Sequence, residues 1–420
     1  MKPMHRQSTV FILAFAALAV SGSAQTTMTN GNDGASNAAG FRAGSAASGN
    51  SILAQANGHA GVGEGTNPPT SADTLANSGG LPNSLALLGS ISTVSSVGVS
   101  IWPGLVTLPD GNLLAIYMRG GGLAVNTSLS ADHGATWQRP ASLALPAGYN
   151  SLYASLTLLS NGKLFLAWSF ENVSTHHGNP IYSVGTIGAG DAIRWGAPVS
   201  IPTGGQNYCW EPSPVVQLSS TKLLLPIWCY SNSTAEAPYT SGAVLSNDLG
   251  VTWSPFNVIG TPVSSTNGYD EGAAQAFPNG DVVMIMRHTS TDPYGAYARS
   301  VSHDGGMTWS PPVDVIRPKM IGRPSLLLLS SGQFILVGRV QLNGASTTGG
   351  AISMDEGASW TPISNIAVGG EVGDQYDALT LELDGSMGMV QAHGVNNSVV
   401  LSYSALTVNG VSLPRRINLH

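Results

Sequence analysis

Charge is what this sequence has least of. Asp, Glu, Lys and Arg together make up 9% of its 420 residues, and the formal net charge is −7. No basic patch stands out, which excludes the electrostatic footprint of a nucleic-acid binder. Cysteine is nearly missing, with two in the whole chain. The apolar run from Val10 to Val20 is too short to span a bilayer comfortably. There is no glycine loop before a helix to cradle phosphate, and no nucleophile elbow with a Ser-His-Asp order. His176 and His177 are adjacent, so an extended backbone turns them to opposite faces and they do not share a metal. No cofactor and no metal site are expected. Glycine is abundant instead, at 52 residues, which together with the low charge points to many short strands and turns.

The N-terminus has the form of a processing segment. Lys2 and Arg6 precede the apolar run, and Ser23-Ala24 before Gln25 suits cleavage after a small residue. Residues 1–24 are therefore expected to be a signal peptide. No cysteine follows it, so a lipid anchor is not expected, and the protein should be secreted or periplasmic with no membrane span after processing. Residues 25–83 are rich in Gly, Ser, Ala, Asn and Thr. They hold too little apolar surface to offset the entropy of ordering, and read as a disordered linker. Cys209 and Cys229 flank a hairpin that turns near Ser219 to Lys222. Simple antiparallel counting sets Cys229 opposite Pro212, slightly out of register, so a disulfide and two buried thiols both stay open.

The remaining residues, 84–420, are organised by two interleaved repeats. One is a hydrophobic hairpin with a tight turn, and the turn position falls at Gly111, Gly162, Thr221, Gly280, Gly332 and Gly385. Asp-Gly and Asn-Gly between such strands are strong hairpin signals. The other is Ser-x-Asp-x-Gly-x-Thr/Ser-Trp, present as Ser130 to Trp137, Ser246 to Trp253, Ser302 to Trp309 and Ser353 to Trp360. Here Asp accepts hydrogen bonds from its own turn, Gly permits positive φ, and Trp buries a large ring. A degenerate copy, Gly190 to Trp195, fills the gap after the first. Six units of four antiparallel strands predict an all-β, six-bladed β-propeller. The sixth unit lacks the motif. Its outermost strand is expected from the segment near Ile91–Val99, with Ser412–Leu419 as the alternative.

Residues at the starts and ends of the inner strands opposite the Asp-Gly turns must converge on the axis of such a ring, where ligands bind. The starts are Trp102, Tyr153, Trp210-Glu211, Asp270-Glu271, Arg323 and Tyr376-Asp377. The ends are Arg119, Glu171, Tyr230, Arg287-His288, Arg339 and His393. Four arginines at these few places, out of 16 Lys and Arg in all, point to an anionic substrate group held by guanidinium forks.

The tryptophan-ended motifs resemble the Asp-boxes of the sialidase (neuraminidase) superfamily, over roughly residues 90–410. The resemblance implies the propeller fold, and a structural role for the boxes away from the active face. It also implies an arginine triad for a sugar carboxylate, a tyrosine nucleophile with a glutamate partner, and an aspartate acid/base. Tyr376-Asp-Ala-Leu379 is similar to the family's tyrosine segment, and Glu271 through Arg287 to its glutamate-to-arginine stretch. Arg119 falls at a second family arginine, and Arg339 is a third candidate. Two positions depart from the pattern. The opening Arg-Ile-Pro stands here as Ile101-Trp102-Pro103, with Arg323 or Arg339 to compensate. Gly120-Gly121-Gly122 follow Arg119 where the family's acid/base would lie, so Glu171, Glu211 and Asp270 are the substitutes.

The expectation is an exo-acting glycoside hydrolase on terminal acidic sugars. Tyr376 and Glu271 would do the nucleophilic work, with Asp270 or Glu211 as acid/base and Arg119, Arg287, Arg339 and Arg323 as the grip. One alternative is a two-glutamate exo-glycosidase, similar to six-bladed exo-arabinanases, with Glu211 and Glu271 facing across the site and Trp102, Trp210, Tyr153 and Trp228 as sugar-stacking surfaces. Another is a glycan-binding propeller without activity. The partner in each case is a glycan or oligosaccharide and no nucleic acid, and the chain is expected to be a monomer.

Overall fold

The computed structural model describes residues 85–408, apart from 96–99, 120–123, 139–141, 145–148, 173–177, 205, 207–208, 211–212, 231–238, 263, 265–266, 290–295, 317–319, 343–344, 364–375 and 396–397. The expected signal peptide, linker and alternative closing segment Ser412–Leu419 lie outside the described residues, as do His176 and His177.

Six antiparallel sheets make a six-bladed β-propeller. Blade 1 consists of Ser100–Thr107, Leu113–Arg119, Ala124–Ser130 and Ser142–Ala144. In blade 2, Tyr149–Leu158, Lys163–Asn172 and Gly178–Ile187 are followed by an outer position split between Ile193–Trp195 and Val199–Ser200. Blade 3 splits its innermost strand instead. Cys209–Trp210 and Val216–Gln217 both pair with Leu223–Tyr230, followed by Tyr239–Ser246 and Asn257–Gly260. Blade 4 runs Gly268–Ala276, Val282–Thr289, Ala296–Ser302 and Val313–Ile316. Met320–Leu328, Phe334–Leu342, Ala345–Ser353 and Thr361–Ile363 form blade 5. Blade 6 has Asp377–Leu381, Met387–Val395 and Ser398–Val408, and its fourth strand is Leu85–Ser95 from the other end of the chain. The ring thus closes as expected from the N-terminal side, with the closing strand starting earlier than Ile91.

The expected hairpins follow from their turn chemistry. Gly111 has φ of +94°, and its N–H donates to Leu108 O at 3.0 Å, while Asp110 Oδ1 accepts from the Asn112 N–H at 3.1 Å. Second strands alternate their side chains between the two neighbouring blades, because a strand has a period of two. Leu223, Leu225 and Ile227 pack toward blade 2, and Leu224 toward blade 4. One apolar cluster fills each of the six blade interfaces. Each fully buried aliphatic chain contributes about 1.5–3 kcal/mol.

The Asp-boxes are braces. In the first, Asp132 accepts from the Thr136 N–H at 2.8 Å and from the Thr136 hydroxyl at 2.6 Å. Those bonds, led by the hydroxyl, hold its carboxyl down to about 2. The Trp137 indole donates to Gly134 O at 3.1 Å. Each box leans on the preceding blade. Gly134 lies under the Tyr403 ring of blade 6, and Tyr182 of blade 2 donates to Gly250 O. Asn257 of blade 3 reaches Gly306 O at 3.2 Å, and Arg299 of blade 4 reaches Glu356 O at 2.8 Å. The degenerate copy does the same, with the Asn112 amide of blade 1 donating to the Asp191 carboxylate.

Cys209 and Cys229 form a disulfide and face each other directly in the ladder. The out-of-register count fails because the inner strand of blade 3 carries extra residues. From Trp210 to Val216 it takes six steps, while its partner takes four from Trp228 to Leu224. With the cysteines 20 apart, replacing both by Ser should cost about 3 kcal/mol. The check is the urea midpoint of wild type and variant under oxidising conditions, and equal midpoints would contradict a structural bridge.

Candidate active site

Regular inner strands would turn successive side chains alternately to the two neighbouring blades. Four of them instead slip register at the same height: between Ile101 and Gly104, Leu152 and Ser155, Asp270 and Ala273, and Ile321 and Ser325. Such β-bulges kink a strand and re-aim a side chain. The slipped residues are Trp102, Tyr153, Glu271 and Gly322, with φ of +49°, +52°, +33° and +90°. Positive φ strains a side-chain-bearing residue, and such strain clusters at functional sites. In blade 3, Glu211 and Pro212 lie outside the described residues.

The consequence is clearest in blade 4. Consecutive residues of a flat strand point to opposite faces, yet both Asp270 and Glu271 reach Arg287. Glu271 Oε2 is 3.0 Å from Arg287 Nη1, and Asp270 Oδ1 is 3.7 Å from Arg287 Nε. The other glutamate oxygen, Oε1, accepts from the Tyr376 hydroxyl at 2.8 Å, across from blade 4 to blade 6. Glu271 is 2% exposed and Tyr376 7%. The Tyr376 ring meets Trp102 at 5.9 Å between centroids, and Trp102 meets Tyr153 at 4.6 Å. The Arg339 guanidinium stands 6.0 Å from the Tyr376 ring centre. Tyr376, Glu271, Arg287, Asp270, Arg339, Trp102 and Tyr153 therefore come together as the strand positions require.

Burial sets the electrostatics. The Tyr376 phenol is pushed up by burial and then by the Glu271 charge, so it rests neutral. The Asp270 carboxyl is pushed up to about 7, chiefly by burial and further by Glu271, against the pull of Arg287. Arg287 is raised by Asp270 and Glu271 despite its own burial, and is firmly charged. Burial also lifts Asp377 to about 7, against Arg323. The centre thus holds three guanidinium groups beside carboxyls that burial drives toward neutrality.

Two expected binding residues have other duties. Arg323 is 3% exposed, and its guanidinium donates to Pro103 O at 2.7 Å, Asp377 O at 3.1 Å and Ala154 O at 3.5 Å. It ties blade 5 to blades 1, 6 and 2, and stands 5.9 Å from the Tyr376 ring centre. Trp210 is stacked on Trp228 at 4.8 Å and is 5% exposed, packed with Tyr153, Tyr230 and Tyr239. It sits in the blade packing beside the disulfide, not on an open wall. Arg119, Glu171 and His393 keep their places at strand ends, but their side chains lie outside the described residues, as does Gly120-Gly121-Gly122. His288 turns away from the centre, bonded to Asp314 and Asn267 at 2.7 Å each.

One residue was not legible beforehand. Tyr297, on the third strand of blade 4, pairs in register with Arg287 and donates its hydroxyl to Gly322 O at 3.1 Å. In sequence it reads as ordinary core, and only the register reveals its neighbours. Among the described residues no group of three His, Cys, Asp or Glu side chains could hold a metal. No helix among them is long and apolar enough to cross a membrane.

Residues 162–410 match the BNR repeat-like domain family. No curated protein matches the chain. Among solved structures, a protein of unknown function from Dyadobacter fermentans is similar at 14% identity and a TM-score of 0.61, covering 76% of this chain and 100% of that one. The Penicillium chrysogenum alpha-L-arabinanase, complexed with arabinobiose, is similar at 18% identity and 0.60, covering 79% and 99%. The Trypanosoma rangeli sialidase, as a covalent intermediate with 2,3-difluorosialic acid, is similar at 15% identity and 0.58. That match covers 76% of this chain and 59% of the sialidase.

Proposed function

The chain belongs to the BNR repeat-like domain family, with the propeller of the sialidase-like superfamily, and from that premise we propose that it is an exported, exo-acting glycoside hydrolase for terminal acidic sugars. The observation that carries the reading is the 2.8 Å bond from the buried Tyr376 hydroxyl to Glu271. A phenol is a poor nucleophile until a neighbouring base takes its proton, and a carboxylate at hydrogen-bond distance supplies one. Arg287 holds the other glutamate oxygen at 3.0 Å, which leaves Oε1 aimed at the phenol.

In the first step Glu271 takes the Tyr376 proton as the phenolic oxygen bonds to the anomeric carbon. The glycosidic bond breaks, and the leaving oxygen receives a proton from Asp270. In the second step Asp270 takes a proton from water, whose oxygen displaces the tyrosine from the sugar, and Tyr376 recovers its proton from Glu271. A neutral nucleophile suits an anionic sugar because it approaches without repulsion. Arg287 and Arg339 face the sugar carboxylate, with Arg119 as the third cation from blade 1. Glu211 is the other acid available to this step.

Asp270 must be protonated to start the reaction, and its carboxyl sits near 7. The competent form is thus lost as pH rises, so kcat should hold below about pH 7 and fall above it. Asp270→Asn should remove that limb along with most of the rate for unactivated leaving groups. An alkaline limb that survives in the variant would return the acid role to Glu211.

A second reading has one observation in its favour. Trp102 and Tyr153 fill two of the four bulges with a continuous aromatic wall, which suits the apolar face of an uncharged sugar. Parallel assays with an aryl α-sialoside and an aryl α-L-arabinofuranoside separate the two. Release from the sialoside supports the acidic-sugar reading, and release from the arabinoside alone moves the substrate to neutral sugars. No release of either by folded protein favours a binding propeller. Export rests on residues 1–24, and a cell fractionation that finds the mature chain in the cytoplasm would overturn it.

A further inference from the structure

We infer that Tyr297 is a positioning residue that fixes Arg339 of the proposed site, relative to Arg287, through the glycine bulge of blade 5. The inference rests on the acidic-sugar reading above for its catalytic consequence, and on the geometry alone for its structural one.

Tyr297 is fully buried and stands directly opposite Arg287 in the ladder between the second and third strands of blade 4. Its ring packs in the interface of blades 4 and 5. Its hydroxyl crosses that interface to Gly322 O. Gly322 is the residue that slips register in blade 5, where the corresponding residues are Trp102, Tyr153 and Glu271 in blades 1, 2 and 4. With φ of +90° this position favours glycine, and the Arg339 side chain packs beside it. A Cβ built there would stand 3.7 Å from both Cβ and Nε of Arg339 and 3.9 Å from Cζ. Arg339 thus lies across a bare stretch of backbone to reach the Tyr376 ring, and the buried Tyr297 hydroxyl anchors that backbone. Burial keeps the Tyr297 phenol un-ionised, so it remains a donor.

Nothing in the chemistry asks Tyr297 to touch a substrate. Its contribution is the distance between two guanidinium groups on adjacent blades, one opposite it in the ladder and one beyond the carbonyl it holds. A rigid spacing matters here because a carboxylate is gripped well only by donors already in place.

The test is Tyr297→Phe, which keeps the ring and its packing and removes the oxygen alone, measured beside Arg339→Ala and the double variant. On an aryl sialoside, Y297F should raise KM about tenfold, roughly 1.4 kcal/mol, with kcat within about twofold. On the Arg339→Ala background the same change should add almost nothing, since the side chain it positions is gone. An unchanged KM, or a full tenfold penalty on that background, would overturn the inference. Crystal structures of wild type and Y297F read it without any turnover. A displaced Gly322 carbonyl and Arg339 guanidinium support it, and an unmoved pair overturns it. Wild-type protein that cleaves no sialoside would sink the proposed substrate and leave this crystallographic comparison to decide the positioning role.

Discussion

Tyr376→Phe is expected to lower kcat on an aryl sialoside by on the order of 10³-fold or more, about 4 kcal/mol of barrier, with KM changed little. The substitution removes one oxygen. The ring keeps its contacts with Trp102 and with the guanidinium groups of Arg323 and Arg339, so the fold and the sugar platform should stay intact. Glu271 loses the donor at 2.8 Å but retains Arg287 at 3.0 Å. The effect therefore belongs to chemistry and not to binding, and steady-state kinetics separates the two. A variant that keeps a tenth of its kcat would mean the phenol does not bond to the sugar. A proportional rise in KM would mean it only binds.

The second large effect is on stability. Arg323→Met should cost about 3–5 kcal/mol, the range for removing one member of a buried charged network. The guanidinium donates to carbonyls of blades 1, 2 and 6 from its place on blade 5. Methionine fills much of the volume but gives no donor, so Pro103 O and Ala154 O lose theirs, while Ser325 still donates to Asp377 O. Asp377, lifted to about 7 by burial against the pull of Arg323, would lose that pull as well. Urea denaturation followed by tryptophan fluorescence gives the number. A loss below about 1 kcal/mol would be that of an ordinary surface position, and would return Arg323 to the list of ligand-binding residues.

Much of this architecture is written locally. Asp110-Gly111 and its counterparts set the hairpins, and the four boxes from Ser130 to Trp360 set the outer turns, because both depend on residues adjacent in sequence. Ring closure by the N-terminal side was legible for a similar reason. Blade 6 has strands for three positions, and an apolar stretch precedes blade 1. Tyr376, Glu271 and Arg287 were legible because they stand at strand ends, whose height in a blade is fixed by counting from a turn.

What could not be read is what depends on a register slip. A bulge adds residues to one strand without a marked change in composition, so counting across it goes wrong. Simple counting sets Cys229 opposite Pro212, three residues from Cys209; the pairing of Val216 with Leu224 beside the turn accounts for one of the three and the two extra steps between Trp210 and Val216 for the others. The slip at Glu271 likewise turns it to the same side as Asp270, which alternation forbids. Arg323 has the sequence context of a ligand-binding arginine, and its burial against three other blades is a tertiary fact. Tyr297 is the same kind of case, since its partners come from the opposite strand and the next blade.

The central claim is a covalent sugar–tyrosine bond at the propeller axis, and the most direct test is to trap it. The full-length protein is incubated with 2,3-difluorosialic acid, digested, and its peptides are mapped by mass spectrometry. One adduct is expected, on the peptide containing Tyr376 and absent from Tyr376→Phe. An adduct on Glu271 or Asp270 instead, or none on protein that cleaves an aryl sialoside, would contradict it.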